Sequence, residues 1–361
     1  MFPAPFPVAE LAEVRAGGLP PETSAALDAV LEDATRTGGR GGFTAVVLDA
    51  ASGSWAGAAG TADGTNAMTP DHAMYVGAIT QTVIAAQVMQ LVERGQVDLD
   101  APVADYLPSD IPFDLNGASV RHLLGMRSGI PDHLAVPGIS IVLREDRLRR
   151  WTRPEVLALV PDRRGPTGEQ VALSTTNYVL LGLLIEHVTG TSLSRALRAG
   201  VLDHPGLERV VVQPDEAPTA PVALLFGSGV EPGDVLAAGG GFLPSASEVT
   251  ASVGAGNLAG DAPAVARWWQ LLCGGHVVSR TSLTEMADFQ PRRDVGLGLT
   301  RFNAPGGTPG VGAFSFGAGF AAVAACLPVD GVVVVLMTNH NAQYGLYEVF
   351  DAILAEVLGR E

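Results

Sequence analysis

The chain has 361 residues, enough for one large domain or two ordinary ones, and 47% of them are hydrophobic, so a sizeable core can be buried. A formal charge of −16 and a pI near 4.8 would repel phosphate backbones and anionic headgroups, which excludes nucleic acid and membrane surfaces as expected partners. All 22 basic residues are arginine, a bias for which GC-rich coding is the simplest origin, so no lysine is available as a Schiff base or general base.

In chain order, Leu27, Val30, Leu31 and Ala34 share one face of a helix predicted over 21–37. "GFTAVVLDAASGSWAGAAG" (42–60) reads as two strands around an Asp-Ala-Ala-Ser-Gly turn. A helix over 78–94 is apolar on most sides, hence buried, and stops at Gly95. A short helix within 118–133 runs into a Gly-Pro loop, and 176–193 gives a second buried helix ending at Gly190. Residues 205–260, rich in Gly, Pro and Ala and without periodicity, read as loops and short strands. A helix over 262–275 closes on two glycines. Strand-like runs follow at 296–302, 317–327 and 331–338, and a last helix over about 343–358. The long apolar stretch 310–338 is broken by Pro328-Val329-Asp330-Gly331, a hairpin signal rather than a membrane span.

Strands at both ends and helices between predict an α+β fold. One antiparallel sheet is built from both chain ends (about 20–75 and 270–361) and flanked by helices, beside a mainly helical lobe (about 76–269), all within a single domain 1–361. A ligand is expected in the groove between the two parts. Cys273 and Cys326 lie in no CxxC or metal-ligand spacing and read as small buried hydrophobes of a reducing compartment, with disulfide pairing the alternative. The N-terminus "MFPAPFPVAELAEVRAGG" lacks a basic n-region and a long apolar run, which points to the cytoplasm.

Four stretches carry a family resemblance: "LVERGQVDLDAPVADYLP", "RHLLGMRSGIPD", "TNYVLLGLLIEHVTG" and "CLPVDGVVVVLMTN". In this order and spacing the chain, from about 25 to 358, resembles the serine β-lactamase and penicillin-binding-protein-like family, which includes class C β-lactamases, D-alanyl-D-alanine carboxypeptidases and esterases. The resemblance implies a β-lactamase/transpeptidase-like fold and three catalytic motifs. The first, Ser-x-x-Lys, opens the central helix, where a lysine one turn on activates the serine. Here it reads Ala78-Ile79-Thr80-Gln81. The second, Tyr-x-Asn, falls on Leu173-Ser174-Thr175 when aligned on Tyr178-Val179-Leu180-Leu181-Gly182. The third, His/Lys-x-Gly, falls on Ala313-Phe314-Ser315 when counted back from Gly319-Phe320. Ala78, Gln81, Leu173, Thr175 and Ala313 thus replace five functional side chains, which implies loss of the acyl-enzyme route.

Several remaining residues are candidates for other work. His133 follows the Gly-Ile-Pro-Asp turn at a position that, by the resemblance, faces the cleft mouth and suits acid–base chemistry; the alternative is a solvated loop histidine. Thr80 and Gln81 read as hydrogen-bond donors on the cleft floor, and Ser174 and Ser315 as hydroxyls near the cleft that lack an obvious base. His122 reads as structural. Of Trp268 and Trp269, one is expected in the core and the other at the groove. Arg147, Arg149, Arg150 and Arg153 form a basic cluster, either an anion site or a solvated helix face. No pair of histidines has ligand spacing and the glycine runs lack a phosphate-loop context, so neither a metal nor a cofactor is expected.

The expected function is a repurposed cleft. The first reading is a non-hydrolytic isomerase or cyclase acting on a bulky apolar small molecule in a bacterial secondary-metabolite pathway. The alternatives are a pseudoenzyme that binds a small molecule or partner without chemistry, and residual esterase activity through Ser174 or Ser315. The sequence fixes no oligomeric state.

Overall fold

The run Val332–Met337 is apolar on both faces, a pattern that suits a strand covered on both sides. In the computed structural model it forms β9 (Val332–Thr338), buried at every position. The structure describes residues 11–38, 41–162, 164–168, 170–219, 221–225, 239–289, 294–340 and 345–359. Parts of three sequence expectations, at 1–10, 226–238 and 343–344, lie outside the described residues.

β9 is central in a six-stranded antiparallel sheet. β1 (Gly42–Asp49), β2 (Gly53–Gly60), β6 (Thr300–Asn303), β7 (Pro309–Gly317) and β8 (Phe320–Leu327) complete it, in the order β2-β1-β9-β8-β7-β6. Both chain ends therefore contribute: Val46 lies opposite Val335, which in turn lies opposite Ala324. Side chains along β9 alternate between two cores. Val332, Val334 and Leu336 face Leu27 and Leu31 of the helix Pro21–Gly38 and Phe350, Ile353 and Leu354 of the helix Leu346–Leu358. Val333, Val335 and Met337 join the larger core, which holds the helices Thr80–Glu93, Thr175–Thr189 and Ala262–Cys273. This is the expected β-lactamase/transpeptidase-like α+β arrangement. A small second sheet pairs β3 (Met74–Tyr75), β5 (Leu258–Gly260) and β4 (Val211–Val212), with β5 in the middle.

Differences from the sequence reading have local causes. The run 317–327 is not one strand: the chain reverses at Ala318 and Gly319, both at positive φ, and Gly317 closes β7. β7 itself was hidden by its glycines, which disfavour strands. Gly312 is required there, since a Cβ would stand 2.5 Å from the carbonyl oxygen of Ala324 on the neighbouring strand. The expected strand at 296–302 shortens to Thr300–Asn303. The helices Ile139–Glu145, Arg153–Ala158, Leu193–Arg198, Ala246–Ala251 and Arg280–Met286 run for seven residues or fewer, too short for a 3.6-residue period to stand out. No described helix is long and apolar enough to cross a membrane.

Cys273 and Cys326 are buried, as expected, and take the alternative that the sequence left open: they are bonded to each other, with Cα atoms 6.8 Å apart and a sequence separation of 53. The helix Ala262–Cys273 lies across β1, β8 and β9, which sets its last residue over β8. Such bonds belong to oxidising compartments and are rare in the cytosol, so the pairing weighs against the reducing compartment expected from the sequence. Closing a loop of this length stabilises a fold by about 2–4 kcal/mol. Titration of the denatured, unreduced protein should therefore find no thiol. Cys273→Ala/Cys326→Ala should unfold at lower denaturant than the parent, with an unfolding free energy lower by about 2–4 kcal/mol; an equal midpoint would refute the cross-link.

Candidate functional site

A cavity of about 1200 Å³ opens beside β7. Its walls bring together segments far apart in sequence: Ala78 and Gln81 at the start of the central helix, Leu173, Ser174 and Thr175 before the next long helix, and Ala313, Phe314 and Ser315 on β7. The three segments aligned on the family's motifs thus converge on one space, because the sheet holds β7 against the turn at Gly77–Ile79.

That junction is tight. Gly77 has φ +50°, and a Cβ there would fall 2.0 Å from Ser315 Oγ. Only glycine fits. The next backbone N–H, at Ala78, donates to Ser315 Oγ at 3.0 Å. A serine hydroxyl therefore occupies the position from which this N–H would otherwise bind a ligand oxygen. Ser315 itself is buried in the β7 wall.

Other aligned positions differ in what they offer. Gln81 lines the cavity, and its amide makes no hydrogen bond to another described residue. Thr80 does not line it: the side chain is buried and its Oγ1 accepts from the Leu258 N–H at 3.2 Å, correcting its expected place on the floor. Leu173 stands at the rim, 72% exposed. Ser174 lines the cavity, yet its Oγ is buried without a partner among the described residues. Thr175 Oγ1 donates to Asp132 Oδ2 at 3.1 Å. Ala313 and Phe314 lie on the wall, with Phe314 grouped against Phe316 and Tyr347, ring centroids 5.6–6.2 Å apart.

His133 fits neither of its sequence readings. It is fully buried and lines no part of the cavity, although its neighbours Asp132 and Leu134 do. Nε2 lies 2.9 Å from the carbonyl oxygen of Ala251, so this nitrogen carries the proton, and Nδ1 lies 3.2 Å from Thr176 Oγ1. Burial lowers its pKa, more than Asp132 raises it. It ties the loop to two helices. His122 is also structural, completing a capping box with Ser119.

Trp268 and Trp269 are both buried and neither reaches the cavity; Trp268 Nε1 donates to Thr82 Oγ1 at 3.0 Å. The arginine cluster disperses. Arg147 lines the cavity and donates to the Pro244 carbonyl at 2.8 Å, while Arg149 stacks 3.5 Å above Trp151 and pairs with Glu155. Arg150 leans over Phe242, and Arg153 pairs with Glu186 at 3.1 Å. Among the described residues no cluster of three or more His, Cys, Asp or Glu could hold a metal ion.

Sequence reasoning missed several cavity residues, Tyr75 and Glu248 among them. Tyr75, on β3, turns its phenol into the space, and Glu248 enters from the first turn of the helix Ala246–Ala251. Burial raises the Glu248 pKa against the opposing charges of Arg147 and Arg144. Burial also raises the Tyr75 phenol, and Glu248 adds to that shift. No motif marked either residue. Several serines lie on the wall, but among the described residues no histidine does, and the chain has no lysine.

The comparisons with known proteins agree with this architecture. Among curated proteins the chain is 30% identical over 154 residues to penicillin-binding protein 4 of Amycolatopsis lactamdurans, covering 42% of this chain and 39% of that one. It is 30% identical over 206 residues to esterase EstB of Burkholderia gladioli, covering 51% and 50%. The chain thus spans half the length or less of these relatives. Among solved structures it is similar to D-amino acid amidase of Ochrobactrum anthropi SV3 complexed with L-phenylalanine. The TM-score is 0.79 at 23% identity over 94% of this chain and 99% of that one, a likeness of fold. A family model described as Beta-lactamase matches residues 27–355, and the chain belongs to the β-lactamase family.

Proposed function

We propose that this chain is a non-hydrolytic member of its family, an isomerase or cyclase that takes a bulky, largely apolar small molecule into the cavity beside β7. The observation that carries this reading is the pair Ala78 and Ser315. The residue at the start of the central helix has no oxygen to attack with, and its N–H is already engaged by Ser315 Oγ at 3.0 Å. A serine nucleophile needs a base within reach and donors for the oxyanion. Gln81 is no base, and no lysine or described histidine reaches the wall to replace it. The apolar character of the ligand follows from the lining, where Leu134, Leu173, Leu225, Phe314 and Phe316 keep exposed surface. A cavity of about 1200 Å³ accommodates a molecule well beyond amino-acid size. The names esterase and amidase borne by relatives denote hydrolysis, and this reading departs from them at the residues just named.

Covalent labelling and turnover test it first. Incubation with a fluorophosphonate or a fluorescent penicillin should leave the intact mass unchanged, whereas an adduct on Ser174 or Ser315 would establish residual esterase chemistry instead. With a turned-over substrate, product and substrate should share one mass; a ligand that raises the melting temperature and is always recovered unaltered would point to a binding protein. A further experiment restores the lost groups. Ala78→Ser/Gln81→Lys should remain poorly labelled by the penicillin, because the N–H of residue 78 stays occupied. Adding Ser315→Gly should free it and raise the labelling rate by about 100-fold. Equal labelling of the double and triple variants would show that Ser315 does not occlude this donor.

A further inference from the structure

Several polar groups on the cavity wall are already used within the protein. Thr175 is held by Asp132, Ser245 caps the helix Ala246–Ala251 through the Glu248 N–H, and Ser315 accepts from Ala78. The side chains of Glu248 and Tyr75 stand apart from this set. The carboxylate of Glu248 faces the cavity, and neither of its oxygens makes a hydrogen bond to another described residue. The Tyr75 ring packs edge-on to Phe320, with centroids 6.4 Å apart, and the residue is only 8% exposed. Its hydroxyl sits over Gly256, where a Cβ would come within 2.6 Å of it, and it makes no hydrogen bond to another described residue. Buried polar groups left without partners are costly, and on the wall of a cavity they mark where a ligand's own polar atoms belong. An acceptor that can take a proton and a donor that can hold an oxygen thus share one space, and the charge of Glu248 is felt at the phenol.

We propose that Glu248 is the catalytic base of this cleft and that Tyr75 donates the hydrogen bond to the substrate oxygen on which negative charge develops, the substrate being a bulky, largely apolar β,γ-unsaturated carbonyl compound whose acidic C–H lies between the carbonyl and the carbon–carbon double bond, so that deprotonation gives a conjugated dienolate. This rests on the isomerase reading and names its chemistry. The Glu248 carboxylate takes the proton from carbon. The C–H electron pair becomes the carbon–carbon double bond of an enolate, and the carbonyl π pair moves onto oxygen, where the Tyr75 hydroxyl holds it. Protonated Glu248 then returns the proton to a different carbon of the conjugated system, the carbonyl re-forms, and composition is unchanged. No oxidant or second substrate enters. Burial favours this use, because it lifts the carboxyl toward the working range of a general base and strengthens the hydrogen bond to the developing oxyanion.

The test uses 5-nitrobenzisoxazole, which reports a base in an apolar site without knowledge of the natural substrate. The base removes the ring C–H proton, that electron pair completes a nitrile, the N–O bond breaks, and the coloured 2-cyano-4-nitrophenolate leaves. The intact chain should accelerate this elimination by at least about 100-fold over acetate at equal concentration, and Glu248→Gln should lose about 100-fold. Glu248→Asp should retain part of the rate. Tyr75→Phe should lower kcat by about 10-fold with little change in KM, since its hydrogen bond strengthens only as charge develops. The rate should rise with pH through one ionisation above the usual carboxylate range, a step absent from Glu248→Gln. The charged groups around that carboxyl are Arg144 and Arg147, with the Tyr75 phenol. Melting curves establish that each variant is folded; if Glu248→Gln is not, the aspartate and phenylalanine variants decide. A parent no faster than acetate, or a folded Glu248→Gln as fast as the parent, overturns the proposal. Either result leaves the non-hydrolytic reading intact, because that reading is tested separately, by a covalent serine adduct or a product of changed mass.

Discussion

The pairing of β1 with β9 holds the whole arrangement in place. It joins residues 43–49 to 332–338 in antiparallel register, so that two ends of the chain become neighbours in one sheet. Once β9 is fixed, the hairpins place β8 and then β7, and β7 brings Ser315 against Gly77 and Ala78. Because side chains alternate along a strand, a slip of one residue would reverse which of them face the helices Pro21–Gly38 and Leu346–Leu358 and which face the larger core. Valine at 332–335 tolerates burial on either side, so the neighbours specify the register: Leu27, Leu31 and Phe350 on one face, Trp268 and Leu272 on the other. The Cys273–Cys326 bond fastens the helix that covers this second face to β8.

Geometry preserved by the sheet is compatible with chemistry that has changed. Residues 78 and 81, 173–175 and 313–315 still converge on one cavity, but the contacts among them are those of a closed structure. Ser315 gives its oxygen to a backbone N–H, Thr175 binds Asp132, and Thr80 turns inward to Leu258. Polar groups that remain without partners among the described residues, the Glu248 carboxylate, the Tyr75 hydroxyl, Ser174 Oγ and the Gln81 amide, lie at other points of the same wall. In this cleft the distribution of unused hydrogen-bonding capacity is a better guide to a ligand than the positions inherited from a serine enzyme. The same physics explains His133. An imidazole with both nitrogens engaged and no exposed surface acts as a brace between the loop and two helices.

The family and the fold were legible in the sequence because their signals are local. An unbroken valine run, a helix closed by Gly95 or Gly190, and an interrupted hairpin at Pro328–Gly331 each express a backbone preference within a few residues. β7 escaped because glycine is a poor strand former, and the reason Gly312 must be glycine, the carbonyl of Ala324 beside it, lies on another strand. The short helices escaped because one or two turns carry too little periodicity.

Within the site, the sequence by itself determined which groups are missing: no serine at 78, no lysine anywhere, no histidine or lysine at 313. Those are facts of composition and position, and no packing can restore an absent atom. Only the tertiary structure decided what each remaining group does. It joined the two cysteines, buried both tryptophans and His133, scattered four neighbouring arginines among separate partners, and turned Tyr75 and Glu248 into one cavity. Such outcomes depend on distances between segments remote in the chain and on how much water each side chain keeps, and neither quantity is written in the order of the residues.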